Sequence, residues 1–280
     1  MIILGRAALF LIAAIATSVS LSAQWPSFPS QNLPRTADGK PDLRAKPPRT
    51  ADGKPDFSGI WENPGWRNLG TGVSGTGGAP GTPAVLPRGP GLFFDIASGV
   101  PGGLPLTPYG ADVKKTRLAN NSADNPDAHC LPLGNIQLHT HPMPRKIVQT
   151  PKVMLLLYEG NAGIRQILID GRSLPPRDVQ PWWYGYTTAS WDGDVLVAKT
   201  SGFRDGGWLD VNGSPLTDAA TVTERFTRPD FGHLSIEIII DDPKAYTRPW
   251  SVTVNQDIML DTDLIEFVCN ENEKSSQHFR

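Results

Sequence analysis

The second half of the chain alternates between short apolar runs and turn residues. In residues 234–241, four apolar side chains lie on one face of an extended chain and mostly polar ones on the other, which is typical of a half-buried strand. Residues 153–157 are apolar at every position, which predicts a strand covered on both faces. The same criteria predict strands at 57–61, 146–149, 153–159, 164–170, 184–191, 194–200, 221–227, 234–241, 250–255 and 264–268.

The connections between these runs indicate how the strands are arranged. Turn residues at 160–163, 192–193 and 229–232 are typical of hairpins. One helix is expected from Pro108 to Ala119, because Thr107 can cap it and proline suits its first position. Consecutive strands with short links predict a mainly β fold, an antiparallel meander that closes into a barrel or folds into a sandwich.

The chain begins with a pattern typical of export. Arg6 precedes an apolar run from Ala7 to Ala16, and small residues follow, so residues 1–23 are predicted to be a secretory signal peptide. That run is too short to cross a bilayer, and no later stretch approaches the roughly 20 apolar residues that a spanning helix needs. We therefore expect a periplasmic or secreted protein with no membrane span.

Residues 24–56 contain the phrase PRTADGKPD twice, at 34–42 and 48–56. The segment has few apolar residues, which predicts a disordered linker, although each copy carries an Asp-Gly turn signal. Two copies are too few for a solenoid. We interpret the first copy as duplicated linker with no role of its own, and the second as the approach to the first strand.

Residues 57–280 are predicted to form a single β-rich domain. It contains a glycine- and proline-rich loop at 65–105, and a loop of that length is usually either functional or disordered. Its apolar residues Phe93, Phe94 and Ile96 are expected either to dock on the core or to act as a lid.

Charge and cysteine content narrow the functional classes. The net charge is −2 with no basic stripe, so the sequence lacks the electrostatic signature of a nucleic-acid binder. Cys130 and Cys269 form an even pair in an oxidising compartment, which favours a disulfide. A metal role for them is the weaker interpretation, because neither lies in a CxxC spacing.

Several motifs in one order resemble a large family of exported bacterial proteins. They are TADGKPDxSGxW at 50–61, SWDGD at 190–194, TERF at 223–226 and DDPKAYT at 241–247, and the resemblance covers about residues 50–272. It implies no particular activity. In addition, Gly59-Ile60-Trp61 is similar to the GxW of lipocalins, which implies a barrel closed at one end by Trp61 and holding a small apolar ligand. The long glycine- and proline-rich loop departs from the lipocalin pattern.

His139 and His141 form an HxH motif. On an extended segment the two rings would project from the same side, which suits a divalent metal ion or a proton relay. Cupins place a glutamate shortly after such a motif, whereas this chain has Arg145 and Lys146 there. A third ligand would have to come from Glu159, Glu224 or His233; the alternative is two polar histidines in a loop. No cofactor is certain, and a divalent metal is the one that the sequence allows.

Aromatic residues cluster just before the strand predicted at 184–191. Trp182, Trp183 and Tyr186 suit either a platform for a sugar or planar ligand or a packed plug at the barrel end. Arg165 and Glu224 lie inside predicted strands, where an unpaired charge is costly. They are expected to form a salt bridge; otherwise Glu224 would have a raised pKa suited to acid–base catalysis.

Three functions follow from these residues. The first is an exported protein that binds a small, partly apolar or glycosidic molecule in a pocket lined by Arg165, Glu224 and the aromatic cluster. The alternative is a secreted lyase, isomerase or hydrolase that uses His139, His141, Glu159 or Glu224 in acid–base or metal-assisted chemistry. The third is a structural or interaction protein of the envelope. The sequence has neither GxSxG nor a glycine-rich phosphate loop, so it offers no support for a serine hydrolase or a nucleotide-binding protein.

Overall fold

The computed structural model of the protein describes residues 28–64, 91–176, 178–269 and 271. The predicted signal peptide and residues 65–90 of the glycine- and proline-rich loop lie outside this part.

Nine strands of the described chain close into a barrel, so the prediction of a mainly β fold is confirmed and the barrel alternative is the correct one. A separate two-stranded sheet lies outside the barrel. In chain order the strands are β1 Gly59–Glu62, β2 Arg145–Gln149, β3 Val153–Tyr158, β4 Ile164–Leu168, β5 Tyr186–Asp192, β6 Val195–Ser201, β7 Gly207–Trp208, β8 Pro215–Leu216, β9 Thr221–Thr227, β10 His233–Asp241 and β11 Trp250–Met259.

The order around the barrel is β1, β11, β10, β9, β6, β5, β4, β3 and β2, which returns to β1. Strands β7 and β8 pair only with each other. All neighbours in the ring run antiparallel except β4 and β5, which run parallel and pair at a single position, Leu168 with Thr188. We call this junction the seam.

The alternation in the sequence corresponds to the inside and outside of the barrel. On β10 the four predicted apolar positions are buried, as expected. On β3, Met154, Leu156 and Tyr158 are buried while the residues between them are partly exposed. The prediction that this strand is covered on both faces is therefore wrong, because the barrel covers only its inner face.

Three α-helices lie in the described chain: α1 Gly91–Phe94, α2 Pro108–Ala119 and α3 Asn135–Thr140. Helix α2 has the predicted bounds, and the Thr107 hydroxyl caps it by accepting from the Gly110 amide at 3.1 Å. Helix α3 was not predicted. All six of its residues are buried, and His139 contacts the buried side chains of Glu224 on β9 and Gln256 on β11.

The described part of the glycine- and proline-rich loop docks on the rest of the molecule. Ile96 is fully buried, and the Phe93 ring meets the His141 ring edge-on at 5.0 Å. Phe94 is 41% exposed. Ile96 and Phe93 therefore dock on the rest of the molecule, which is the first of the two predicted alternatives, docking or a lid.

The segment predicted as a disordered linker lies against the barrel instead, in its described part. The Ser30 amide donates to Asp261, and the Gly232 amide donates to the Leu43 carbonyl, both at 2.8 Å. The prediction of disorder rested on the low apolar content of the segment. It was wrong because hydrogen bonds between polar groups hold the segment in place.

The end of the described chain also differs from its prediction. Residues 264–268 form no strand, because β1 and β10 already occupy both edges of β11. The predicted disulfide between Cys130 and Cys269 is confirmed, with the two Cα atoms 5.6 Å apart. It ties this end to the turn that precedes α3.

Candidate functional site

A cleft of about 570 Å³ lies along the seam between β4 and β5. The two strands pair at a single position, so few hydrogen bonds join them here. The volume lies in the range of roughly 300 to 1,000 Å³ that is usual for small-molecule sites. Residues of both strands and of the segment 169–185 that joins them line this cleft, which we call the seam cleft.

Backbone contacts hold the joining segment in place. The Trp182 amide donates to the Gly202 carbonyl, and the Trp182 carbonyl accepts from the Arg204 amide, both at 3.0 Å. Gly185 has φ +63°, and a Cβ there would lie 2.7 Å from the Ser201 carbonyl oxygen. Only glycine suits this position, which sets the spacing between Trp182 and β5.

Trp182 and Tyr186 form a stacked pair at the seam cleft. Their ring centroids lie 4.3 Å apart with the planes inclined by 24°, and Trp182 is 52% exposed. The Tyr186 hydroxyl donates to the Gln180 carbonyl at 2.8 Å, which fixes its ring. Of the five residues predicted to line the pocket, Arg165, Trp182 and Tyr186 line this cleft, and the buried Glu224 does not. Trp183 does not line it, and packs under the Arg204 guanidinium at 4.8 Å.

The charged groups of the cleft are both arginines. Arg165 and Arg172 line it, and the residues lining this cleft include no aspartate or glutamate. Each arginine has a partner outside the lining: Arg172 pairs with Asp170, and Arg165 pairs with Glu224. The cleft therefore has no strong net charge, and the exposed Arg172, unlike the buried Arg165, is the arginine that can donate to a ligand.

Behind the cleft, Glu224 lies at the centre of a buried polar network. Its carboxylate accepts from both terminal nitrogens of Arg165, one of them at 2.9 Å, and lies 2.7 Å from His139 Nε2. Arg165 also donates to Thr200 at 3.0 Å and to Thr187 at 3.3 Å. The predicted salt bridge between Arg165 and Glu224 is confirmed.

The charges of this network follow from its contacts. Burial by itself raises the pKa of Glu224, but the charge and hydrogen bonds of Arg165, together with His139, outweigh it and lower the pKa to about 2. Burial lowers the pKa of His139 more than Glu224 raises it. At neutral pH an ionised Glu224 therefore accepts from the Nε2–H of a neutral His139. The pKa of Glu224 therefore lies far from neutral pH, where the pKa of a general acid or base is best placed.

Arg145 is a buried residue of this region that the functional analysis of the sequence missed. Its guanidinium donates to the carbonyls of His139, Met143 and His141 at 2.8, 2.9 and 3.0 Å. It therefore satisfies backbone acceptors where α3 ends. Burial lowers its pKa to about 10. The signal in the sequence is a charged residue directly before the strand predicted at 146–149, at what proves to be an inward position of β2.

The two histidines of the HxH motif do not lie on an extended segment. His139 belongs to α3, and His141 follows its last residue. The His141 ring accepts from the Met143 amide at 3.2 Å, and burial, with Arg145, lowers its pKa to about 4. Glu159 accepts from the Ile265 amide at 3.1 Å, and His233 pairs with Asp230. Within the described residues, no group of three or more His, Cys, Asp or Glu side chains is placed to hold a metal ion.

Comparison with family models, with curated proteins and with solved structures finds no match for this chain. The resemblances to exported proteins and to lipocalins therefore stay predictions. None of the helices in the described ranges is long and apolar enough to cross a membrane.

Proposed function

We propose that this protein binds a small, partly apolar or glycosidic molecule in the seam cleft. The stacked pair Trp182 and Tyr186 carries this proposal, because a tryptophan that is 52% exposed beside a cleft offers a flat apolar face to a ligand. Such faces stack on planar rings and on sugars.

The remaining lining supplies the polar contacts that a binding site needs. Gln166 and Thr188 line the cleft together with Arg172, so amide, hydroxyl and guanidinium groups border the same space. Sites for small molecules commonly combine an apolar lining with a few polar groups that orient the ligand. Hydroxyl-rich or weakly acidic ligands suit this set.

The structure favours binding over the enzymatic alternative. A general acid or base must come within hydrogen-bond reach of its substrate. His139 and Glu224 are fully buried and do not line the seam cleft, and His141 and Glu159 do not line it either. The disulfide is compatible with the proposed location in the periplasm or outside the cell.

A ligand screen with two matched variants tests the proposal. Sugars and planar aromatic compounds are screened by thermal shift, and a ligand at 100 times its Kd stabilises the folded protein by about 2.7 kcal/mol. Trp182→Ala should lose this shift, whereas Trp183→Ala, which removes the neighbouring ring outside the cleft, should keep it. A ligand that both variants bind as well as the wild type would refute the proposal.

A further inference from the structure

The two copies of PRTADGKPD adopt the same backbone conformation. In the first copy the Arg35 guanidinium donates to the Gly39 carbonyl, and in the second Arg49 donates to Gly53, each at 2.7 Å. Each copy also has an amide-to-carbonyl bond of 2.9 Å from its threonine to its lysine, and a bridge between its arginine and its second proline. The phrase therefore encodes a defined turn, which the chain builds twice.

The second copy binds a specific target within the same molecule. Arg49 donates to both oxygens of Asp194 in a bidentate pair, at 3.0 and 2.5 Å. Lys54 donates to the Gly193 carbonyl at 3.2 Å and lies 5.5 Å from the centre of the Trp191 ring. The turn thus recognises the acidic tip of the hairpin between β5 and β6, next to a tryptophan.

The first copy presents the same groups without such a target. The bond to Gly39 holds Arg35 as the matching bond holds Arg49, yet Arg35 has no carboxylate partner within the described part of the chain. Among the described residues, Lys40 pairs only with Asp38 of its own copy, and both side chains are largely exposed. Exposed ion pairs of this kind are weak, so Lys40 can leave Asp38 and bind a group on a partner instead.

Contacts on either side hold the first copy in place. Before it, Ser30 exchanges two hydrogen bonds with Asp261, each 2.8 Å long. After it, the Leu43 carbonyl accepts from the Gly232 amide at 2.8 Å. The exposed turn is therefore ordered before it meets a partner, and preorganisation lowers the entropy cost of binding.

We propose that the first copy, residues 34–42, is a docking site for an acidic β-turn on another protein, of the Trp-Asp-Gly-Asp kind that the second copy binds. A second molecule of this chain is a poor partner, because its own second copy already occupies that turn. The second copy binds that turn within one chain, where the effective concentration is high, so the first copy of another molecule competes poorly for it. Few exposed contacts are involved, so we expect a Kd on the order of 1 mM for this turn alone. Docking does not depend on ligand binding in the seam cleft.

A cyclised hairpin peptide with the sequence of residues 188–197 is the probe. It is titrated into the isotope-labelled full-length protein while the amide NMR signals are followed. We expect saturating shifts of residues 34–42 with a Kd on the order of 1 mM. Arg35→Gln should weaken binding at least fivefold, as should a peptide with asparagine in place of Asp194. The control Lys115→Gln, which removes one exposed positive charge from α2, should leave binding at residues 34–42 unchanged.

Three results would overturn the inference. The first is the absence of shifts in residues 34–42 at 5 mM peptide. The second is equal shifts from the aspartate and asparagine peptides, since the bidentate contact would then play no part. The third is self-association of the protein that Arg35→Gln abolishes, because the partner would then be a second copy of this chain.

Discussion

Replacing Glu224 by glutamine should reveal how strongly the buried network holds the barrel together. Glu224→Gln keeps the size of the side chain and removes its charge. Arg165 would then keep a buried guanidinium whose remaining partners are the hydroxyls of Thr187 and Thr200 and a weaker amide oxygen. A buried charge that loses its partner is strongly destabilising.

The magnitude follows from the protonation equilibrium of the carboxylate. The pKa of Glu224 falls from its ordinary value of 4.5 to about 2 in the folded protein. Each tenfold change in a protonation constant corresponds to about 1.4 kcal/mol, so the folded environment favours the ionised form by about 3 kcal/mol. Removal of one partner of a buried pair typically costs about 3 to 5 kcal/mol, which agrees. We expect Glu224→Gln to lower the free energy of unfolding by about 3 kcal/mol.

The assay is urea unfolding at pH 7, followed by circular dichroism, with the disulfide intact. Arg225→Gln is the matched control, because Arg225 is the next residue of β9 and pairs with Asp192 and Glu237 at the surface. Exposed pairs of that kind contribute about 0 to 1 kcal/mol. The double change Arg165→Met and Glu224→Leu should recover part of the loss, since it leaves no unpaired charge.

A loss below about 1 kcal/mol for Glu224→Gln, equal to that of Arg225→Gln, would refute the reasoning. The Arg165–Glu224 pair would then contribute no more than a surface pair.

Three further predictions concern other parts of the molecule. The pKa of Glu224 is lowered on folding, so its contribution is complete above about pH 4.5 and disappears as the pH falls towards 2; the urea midpoint should fall over this range, and less so in Glu224→Gln. Replacing Cys130 and Cys269 by serine opens a loop with a sequence separation of 139 and should cost about 4 to 5 kcal/mol in the chain-entropy model, measured by calorimetry without reductant. Gly185→Ala places a Cβ 2.7 Å from the Ser201 carbonyl at positive φ, and should cost about 1 to 3 kcal/mol in the same urea assay and weaken ligand binding at the seam cleft. Unchanged stability in that variant would contradict the close approach.

The elements that the sequence predicted well carry a local signal. Strand β9 has its predicted bounds because its polar and apolar residues alternate, and the same alternation placed Glu224 on the inner face. Helix α2 has its predicted bounds because Thr107 and Pro108 mark its start. The salt bridge from Glu224 to Arg165 followed from the cost of an unpaired charge on an apolar face.

The elements that were missed depend on distant contacts. Helix α3 is six residues long and buried on all sides, so it has no amphipathic pattern, and Arg145 on another element binds the His139 carbonyl near its end. Because α3 was not predicted, the HxH motif was expected on an extended segment. Residues 30–56 are mostly polar and were therefore predicted to be a linker, whereas partners such as Asp194, Gly232 and Asp261 hold them in place.

The parallel pair at the seam follows from the number of strands in the barrel. Around a closed ring, antiparallel pairing requires the strands to alternate up and down, and only an even number of strands can alternate without a conflict. Nine is odd, so one pair of neighbours has to point the same way, and in this barrel that pair is β4 and β5. A barrel that gained or lost one strand could pair antiparallel throughout, and it would need no parallel pair where the seam cleft now lies.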